Sequence, residues 1–459
     1  MPSKKKRPMA TRARERAPEP YGKPRNAPPA YFLSLTVENV RCFGPQQTLD
    51  LSDGEGRPAP WTVLLGDNGT GKTTLLQCLV AMEPRGAENG EQPGLAPRLW
   101  PTENRPFPDL SREPDLEGAI QTTMALGPEL AASSRSSDYV RGRFAVEFGR
   151  GYGFEDEYPT SFGTLKCYAY GASRRMRTTS VSGYDDEDAC ATLFEDDADL
   201  INAEEWLLRA DYSANVPSSI TAKLRSQRDS VIETLVGLLP DVESVRITRP
   251  SEERRFPTVQ FHTHYGWVTL DALSLGYRTL IAWMVDLARR LFDRYPDSPN
   301  PLAEPAIVLV DEIDLHLHPS WQRNLMGYLS ERFPNAQFIA TAHSPLVVQA
   351  AEDANIAVLR REGDHVVIDN NPEAVRGWRV DQILTSDLFG LESSRPPRYE
   401  EALKRREKLL SKSRLTKKDR EELTRLEAEI EAWPVGETKE DREAMDIIRR
   451  AAARLKQGE

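Results

Sequence analysis

The stretch GDNGTGKTT, residues 66–74, contains two glycines five positions apart, and the second is followed by Lys72 and Thr73. The apolar run at residues 61–65 predicts a buried strand, and the apolar residues after Thr73 recur at helical spacing. A glycine-rich loop between a strand and a helix binds phosphate, because glycine lets successive backbone N–H groups curl around an anion. The stretch therefore predicts a nucleotide site.

Individual residues of this loop have separate expected roles. Lys72 should reach the outer phosphates of ATP, and the Thr73 hydroxyl should ligate Mg²⁺. The N-terminus of the following helix adds a positive partial charge that favours an anion. The residues expected to hold the nucleotide here are Gly66, Asp67, Asn68, Gly69, Thr70, Gly71, Lys72, Thr73 and Thr74.

Composition indicates a globular protein of two or three domain-sized units, with 459 residues, 39% hydrophobic and 29% charged. No run of 18 apolar residues or N-terminal apolar segment occurs, so we expect no membrane span, no secretion and a cytoplasmic location. The four cysteines lack metal-type spacing.

Residues 1–29 carry nine Lys and Arg against two Glu, whereas the whole chain has a net charge of −11. This basic N-terminal tail is expected to be disordered.

Acidic residues follow a second apolar strand, in the stretch IVLVDEID at residues 307–314. Asp311 is suited to holding Mg²⁺, and Glu312 to deprotonating an attacking water. His343 ends the next strand and is placed to reach the γ-phosphate or the water. Alternating strands and helices predict an α/β fold with a parallel sheet, whose carboxyl edge would bring these residues beside Lys72. For Glu312 and His343 the alternatives are a solvated strand end and a structural histidine.

A further anion site is predicted in LSLGYR, residues 273–278, where Ser274 and Gly276 begin a helix. One subunit needs only one phosphate-binding site for its own nucleotide. A second site therefore indicates a nucleotide that is shared between two subunits. We expect a homodimer, and a higher oligomer is left open.

Together these motifs resemble those of ABC-type ATPases of the SMC, RecF and OLD kind. The resemblance implies an ABC-type P-loop head that hydrolyses ATP with Mg²⁺ held by Thr73 and Asp311. It also implies that Glu312 is the base and that Lys72 and His343 act with it, while Ser274 and Gly276 act on the partner's nucleotide. Residues 314–319, DLHLHP, resemble the D-loop of OLD-like ATPases.

A narrower resemblance is to the SMC-like ATPases of bacterial anti-phage systems, of the Septu type and those carried with retrons. It rests on residues 170–175 (YGASRR), 311–322 and 377–393. The resemblance implies a sensor or regulatory ATPase subunit acting with a separate nuclease, usually of the HNH type. After His343 the sequence shows no nuclease motif of its own.

Two alternatives remain open at this stage. A RecF-like repair ATPase would bind nucleic acid, and an ABC transporter motor is least favoured, because no convincing Q-loop glutamine is present. Gln121 is a weak candidate for that glutamine. Arg174 and Arg175 are alternative phosphate sensors, or part of a solvated basic turn.

The expected domain order starts with the basic tail, 1–29, and the N-terminal lobe of the head, 30–82. It continues with a mobile insert, 83–138, and further strands with a mostly helical insertion, 139–269. The C-terminal lobe, 270–375, precedes a helical appendage, 376–459. In that appendage, helices are predicted to start at Thr416 and Thr438. We hypothesise that this appendage docks a partner.

Overall fold

The computed structural model describes most of the chain from residue 28 onward. The described residues are 28–86, 95–97, 112, 117–128, 130, 135–148, 153–154, 164–177, 188–250, 252, 255–351, 353–372, 377–391, 393–412, 414–431 and 447. The expected basic tail, apart from residues 28 and 29, and the helix expected to start at Thr438 lie outside these residues, save for Ile447.

Strands in the described residues, in chain order, are β1 Ala30–Glu38, β2 Gln47–Asp50, β3 Trp61–Gly66, β4 Pro84–Gly86, β5 Leu95–Pro97, β6 Gly118–Leu126, β7 Val140–Phe148, β8 Gly153–Phe154, β9 Cys167–Tyr170, β10 Arg175–Met176, β11 Asp199–Leu200, β12 Ser244–Ile247, β13 Val259–Thr263, β14 Gly266–Thr269, β15 Ala306–Val310, β16 Ala336–Thr341, β17 Asn355–Glu362 and β18 His365–Asp369.

Helices in the same part of the chain are α1 Lys72–Ala81, α2 Ala191–Phe194, α3 Ala203–Asn215, α4 Thr221–Leu238, α5 Leu275–Arg294, α6 Pro319–Gln322, α7 Leu325–Arg332, α8 Pro345–Ala350, α9 Val380–Leu384, α10 Pro397–Leu410 and α11 Lys417–Glu431. None of them is long and apolar enough to cross a membrane.

A six-stranded sheet forms the centre of the first compact unit, residues 1–383 and 387–389. Its strand order is β18-β17-β3-β16-β15-β9, and all neighbours are parallel except β17 and β18. The carboxyl ends of β3, β16 and β15 therefore lie side by side. The predicted α/β fold with a parallel sheet is confirmed.

Alternate residues of this central sheet enter two different hydrophobic cores, which explains why its strands read as continuous apolar runs. Ile307 and Leu309 of β15 pack with α1 and with a five-stranded antiparallel sheet, β2-β1-β6-β7-β8. Val308 and Val310 pack on the other face with α3, α4, α5 and α7. The central sheet is thus covered on both faces, and β3 delivers its loop from the interior of the sheet.

The sequence pattern predicts strand over residues 257–269 and one helix over residues 320–333, and the structure divides each of these stretches. The apolar pattern at residues 257–269 separates into β13 and β14 at a turn where Gly266 has a φ of 97°. The helical pattern at residues 320–333 separates into α6 and α7, because the Asn324 N–H bonds the Trp321 carbonyl in a tighter three-residue turn. In addition, β6 lies inside the range 83–138, for which the sequence predicts a mobile insert.

The second compact unit, residues 384–386 and 390–459, contains a helical hairpin in its described part. Helix α11 begins as predicted, since Thr416 and Asp419 exchange side-chain to backbone hydrogen bonds of 2.9 and 3.2 Å in a capping box. The sequence predicts an apolar stripe on α11 at Leu423, Leu426 and Ile430, and in the structure this stripe packs against α10, which the sequence pattern did not indicate. The small core they share contains Tyr399, Ala402, Leu409, Leu426 and Ile430, with Leu403 and Leu423 beside it.

Candidate functional site

The phosphate loop connects the end of β3 to the start of α1. Gly66, Gly69 and Gly71 have φ values of 146°, 79° and 85°, which are accessible to glycine but costly for other residues. A side chain at Gly71 would also meet Cys42 Sγ at 2.4 Å and the Phe43 ring at 2.8 Å. The glycines are therefore required by the path of the loop.

Lys72 is the first residue of α1 and is only 7% exposed. Its Nζ donates to the carbonyl oxygens of Gly66 at 2.7 Å and Asp67 at 2.9 Å, so the side chain folds back across the loop. Burial lowers the pKa of this amine, and the nearby Asp311 and Glu312 carboxylates oppose that shift. A bound phosphate would supply the negative charge that this partly desolvated cation favours.

A chain of hydrogen bonds connects the phosphate loop to the two acids that follow β15. The Thr73 hydroxyl donates to Oδ2 of Asp311 at 2.7 Å, and the Thr341 hydroxyl donates to Oδ1 at 2.6 Å. Thr341 also accepts from the backbone N–H of Glu312 at 2.7 Å. The structure thus brings Thr73, Asp311 and Glu312 together at one edge of the sheet. Thr341, which completes the arrangement, was missed by sequence reasoning, although a hydroxyl at the last position of an apolar strand was a usable signal.

Glu312 has a φ of 48°, in the left-handed region that bulky residues adopt only when their surroundings hold them there. Arg174 lies in the loop after β9 and donates to both backbone carbonyls of the acid pair. One guanidinium nitrogen bonds the Asp311 carbonyl, and the other bonds the Glu312 carbonyl at 2.9 Å. Burial lowers the pKa of Arg174 to about 10, which still leaves it a cation at neutral pH.

Residues after the acid pair connect it to the loop that carries His343. Both carboxylate oxygens of Asp314 accept from the His343 backbone N–H at 3.2 Å. The Gln322 side chain donates to the Asp314 carbonyl at 3.2 Å and accepts from the Ser344 hydroxyl at 2.6 Å. His343 is exposed at the carboxyl end of β16, beside the ends of β3 and β15, as predicted. Gln322 was not anticipated from the sequence.

At the start of α5, Ser274 is the N-cap residue, and its hydroxyl accepts from the Tyr277 N–H at 3.5 Å. Ser274 and Leu275 are exposed, whereas Gly276 is buried. A Cβ on Gly276 would lie 2.3 Å from the His316 carbonyl oxygen. This glycine therefore has a packing role within its own chain, while the contact with an anion expected from the sequence stays a prediction.

The Q-loop candidate and the two arginines considered as phosphate sensors lie in different environments. Gln121 belongs to β6 of the antiparallel sheet, not to the carboxyl edge of the central sheet. Arg174 is buried and Arg175 is exposed. The pair is thus not a wholly solvated turn, and it is backbone carbonyls that Arg174 contacts here.

Two family models match this chain. Residues 184–349 match the family described as "AAA domain, putative AbiEii toxin, Type IV TA system", and residues 34–82 match one described as "AAA domain". The two ranges contain the phosphate loop, residues 273–278, the acid pair and His343.

Similar proteins include a Septu protein PtuA from Bacillus mycoides (strain KBAB4), 27% identical over 93% of this chain and 54% of that protein. The "Retron Ec83 probable ATPase" of Escherichia coli is 43% identical over 27% of this chain and 22% of that protein. Among solved structures, the SMC head domain from Thermotoga maritima is 12% identical, with a TM-score of 0.38, over 74% of this chain and 98% of that one. Together with the phosphate loop and the acid pair, these matches show that the chain contains an ATPase domain. The chain spans about half the length of the Septu relative and about a fifth of the retron relative.

Two oxygen atoms of the site, Thr73 Oγ1 and Asp311 Oδ2, have a spacing that suits Mg²⁺. Ligands of octahedral Mg²⁺ lie at 2.0–2.1 Å from the ion, so two neighbouring ligands are about 2.9 Å apart. Thr73 Oγ1 and Asp311 Oδ2 are separated by 2.7 Å, close to that spacing. The described residues contain no group of three or more His, Cys, Asp or Glu able to hold a metal. Mg²⁺ in nucleotide sites is usually held by one or two protein oxygens together with substrate phosphates and water.

Proposed function

We propose that this chain binds and hydrolyses ATP and serves as the ATPase subunit of a bacterial anti-phage complex whose nuclease is a separate protein. The observation that carries the proposal is the hydrogen-bonded series from Thr73 through Asp311 and Thr341 to Glu312, beside the glycine loop and Lys72. The matches to Septu and retron proteins support the defence role over RecF-like repair.

Each residue of the site has a role that follows from its position. Backbone N–H groups of the glycine loop and the start of α1 bind the phosphates, and Lys72 adds a charge beside them. Mg²⁺, held by Thr73 and Asp311, would neutralise charge on the phosphate oxygens. Glu312 orients the attacking water and accepts its proton, since its carboxylate follows directly after the metal ligand.

Two protomers would complete the active unit. Ser274 is exposed at the N-terminus of a 20-residue helix and forms no part of this chain's own phosphate loop. We propose that it contacts the nucleotide of a second copy of the chain, which makes the active form a homodimer. Nucleic acid and an HNH nuclease are the partners that we propose for this dimer.

The direct test is ATP hydrolysis by purified protein with and without Mg²⁺. Glu312→Gln should retain ATP binding and lose turnover by about 10²-fold or more, the usual size of a general-base contribution. Glu331→Gln, which changes an exposed acid on α7, is the matched control and should have wild-type activity. Hydrolysis by Glu312→Gln at the wild-type rate would contradict the assignment.

The defence role needs a separate measurement. Cells that express this chain with the neighbouring genes should restrict phage plating, and Glu312→Gln should change that restriction whereas Glu331→Gln should not. Active hydrolysis with no effect on any phage would leave the ATPase assignment intact and refute the defence role.

A further inference from the structure

A buried arginine takes part in the ATPase site through the protein backbone. Arg174 follows β9, the strand beside β15, and is 3% exposed. Its two terminal guanidinium nitrogens donate to the carbonyls of Asp311 and Glu312. Because the guanidinium is a planar fork, it bonds two successive carbonyls at once, which a lysine ammonium does not do in the same fixed geometry.

Hydrogen bonds hold both the backbone N–H and the backbone carbonyl of Glu312. Thr341 accepts its N–H at 2.7 Å, and Arg174 donates to its carbonyl at 2.9 Å. Glu312 has a left-handed backbone, with a φ of 48°, and that conformation requires support from neighbouring groups. Arg174 and Thr341 supply the side-chain support on the two peptide units that flank the residue, and the Leu315 N–H also donates to the Glu312 carbonyl at 3.0 Å.

The observed contacts of Arg174 favour positioning of the acid pair over direct phosphate sensing. Both terminal nitrogens of Arg174 already bond carbonyls, and its guanidinium lies 5.8 Å from the Trp283 ring centroid on α5. The neighbouring Arg175 is exposed and lies in the short strand β10. The two adjacent arginines thus have different surroundings, and Arg175 offers a matched control.

We propose that Arg174 is a positioning residue that keeps the Glu312 carboxylate in its hydrolytic orientation, an inference that rests on the proposed ATPase function. The contacts of Lys72 with the phosphate loop do not involve Arg174. Loss of the guanidinium should therefore lower kcat with little change in ATP affinity.

The test compares Arg174→Met with Arg175→Met, each in the full-length chain. Arg174→Met should reduce kcat by at least about 10-fold, up to the loss caused by Glu312→Gln, while its Kd for ATP stays within about threefold of wild type. Hydrogen exchange of amides at residues 311–316 should be faster in nucleotide-free Arg174→Met. Arg175→Met should leave all three quantities unchanged.

A double variant separates positioning from a general structural effect. If Arg174 acts through Glu312, adding Arg174→Met to Glu312→Gln should cause almost no further loss in single-turnover hydrolysis. A multiplicative loss, or a large change in Kd, would overturn the proposal. If Arg174→Met fails to fold, Arg174→Lys takes its place, since it keeps the charge without the fork, and wild-type kcat in that variant would also overturn it.

These outcomes are distinct from failure of the proposed function. A wild-type chain that does not hydrolyse ATP would refute both. Wild-type hydrolysis with an unaffected Arg174→Met variant would refute the positioning role alone.

Discussion

Replacement of Thr341 by valine should destabilise the protein and weaken its affinity for Mg²⁺, although valine has nearly the same shape. Thr341 has no exposed surface, and its hydroxyl serves both Asp311 and Glu312. The variant loses a hydrogen bond to a charged group, worth about 1.5–3 kcal/mol, and leaves the Glu312 N–H unpaired, at about 1–3 kcal/mol. The two losses share one site and do not simply add. We expect the free energy of unfolding to fall by about 3 kcal/mol.

The same change should affect catalysis through Asp311. Thr341 holds one oxygen of that carboxylate while Thr73 bonds the other. Removal of a hydrogen bond to a metal-binding carboxylate typically weakens metal affinity by about 10- to 100-fold. The Mg²⁺ concentration that gives half-maximal ATP hydrolysis should therefore rise by that factor in Thr341→Val.

Thr62 provides the matched control. It lies in β3, the strand next to β16, and is fully buried like Thr341. In the described part of the structure, however, its hydroxyl has no hydrogen-bond partner. Thr62→Val should leave the unfolding free energy unchanged or raise it by up to about 1 kcal/mol, since it removes an unpaired buried polar group.

Urea unfolding at neutral pH without nucleotide measures the stabilities, and a Mg²⁺ titration of ATP hydrolysis measures the second effect. Equal unfolding free energies for Thr341→Val and Thr62→Val would refute the hydrogen-bond argument. A normal Mg²⁺ dependence in Thr341→Val would refute the link to Asp311.

Three other outcomes are expected. Gly276→Ala should lower the unfolding free energy by about 1–3 kcal/mol, because the new Cβ would lie 2.3 Å from the His316 carbonyl oxygen. Denaturant titrations measure this change, and unchanged stability would contradict the contact. Inactive Lys72→Ala and Ser274→Arg protomers should regain one working site when mixed, and mixed dimers without ATPase activity would exclude sharing between subunits. Deletion of residues 396–459 should preserve ATPase activity and abolish co-purification of the neighbouring gene product, whereas retained binding would end the docking hypothesis.

The central fold and the main acids of the site could be predicted because they depend on local patterns. The strand preceding Gly66 and the one preceding Asp311 are short, mostly apolar runs, and each ends in a recognisable polar motif. Parallel pairing then requires their carboxyl ends to meet at one edge. Nothing beyond the order of elements along the chain was needed for that step.

Contacts between distant segments could not be predicted in the same way. Arg174 is 137 positions from Asp311, and only the pairing of β9 with β15 brings it to the acid pair. The glycine at 276 was expected to face an anion, yet its space is limited by His316 of the same chain. Helix α10 was not predicted because it contains few apolar residues, and these form a core only together with those of α11.

The contact between Gly276 and His316 also has a consequence for cooperativity. Gly276 begins the helix expected to bind the partner's nucleotide, whereas His316 follows this chain's own acid pair. A Cβ on Gly276 would clash with the His316 carbonyl oxygen, so a movement of α5 towards the acid turn would displace that turn. In a dimer of the proposed kind, ATP capture by one protomer would alter the acid turn of the other. Hydrolysis at the two sites would then be coupled, and its dependence on ATP concentration would show a Hill coefficient different from one.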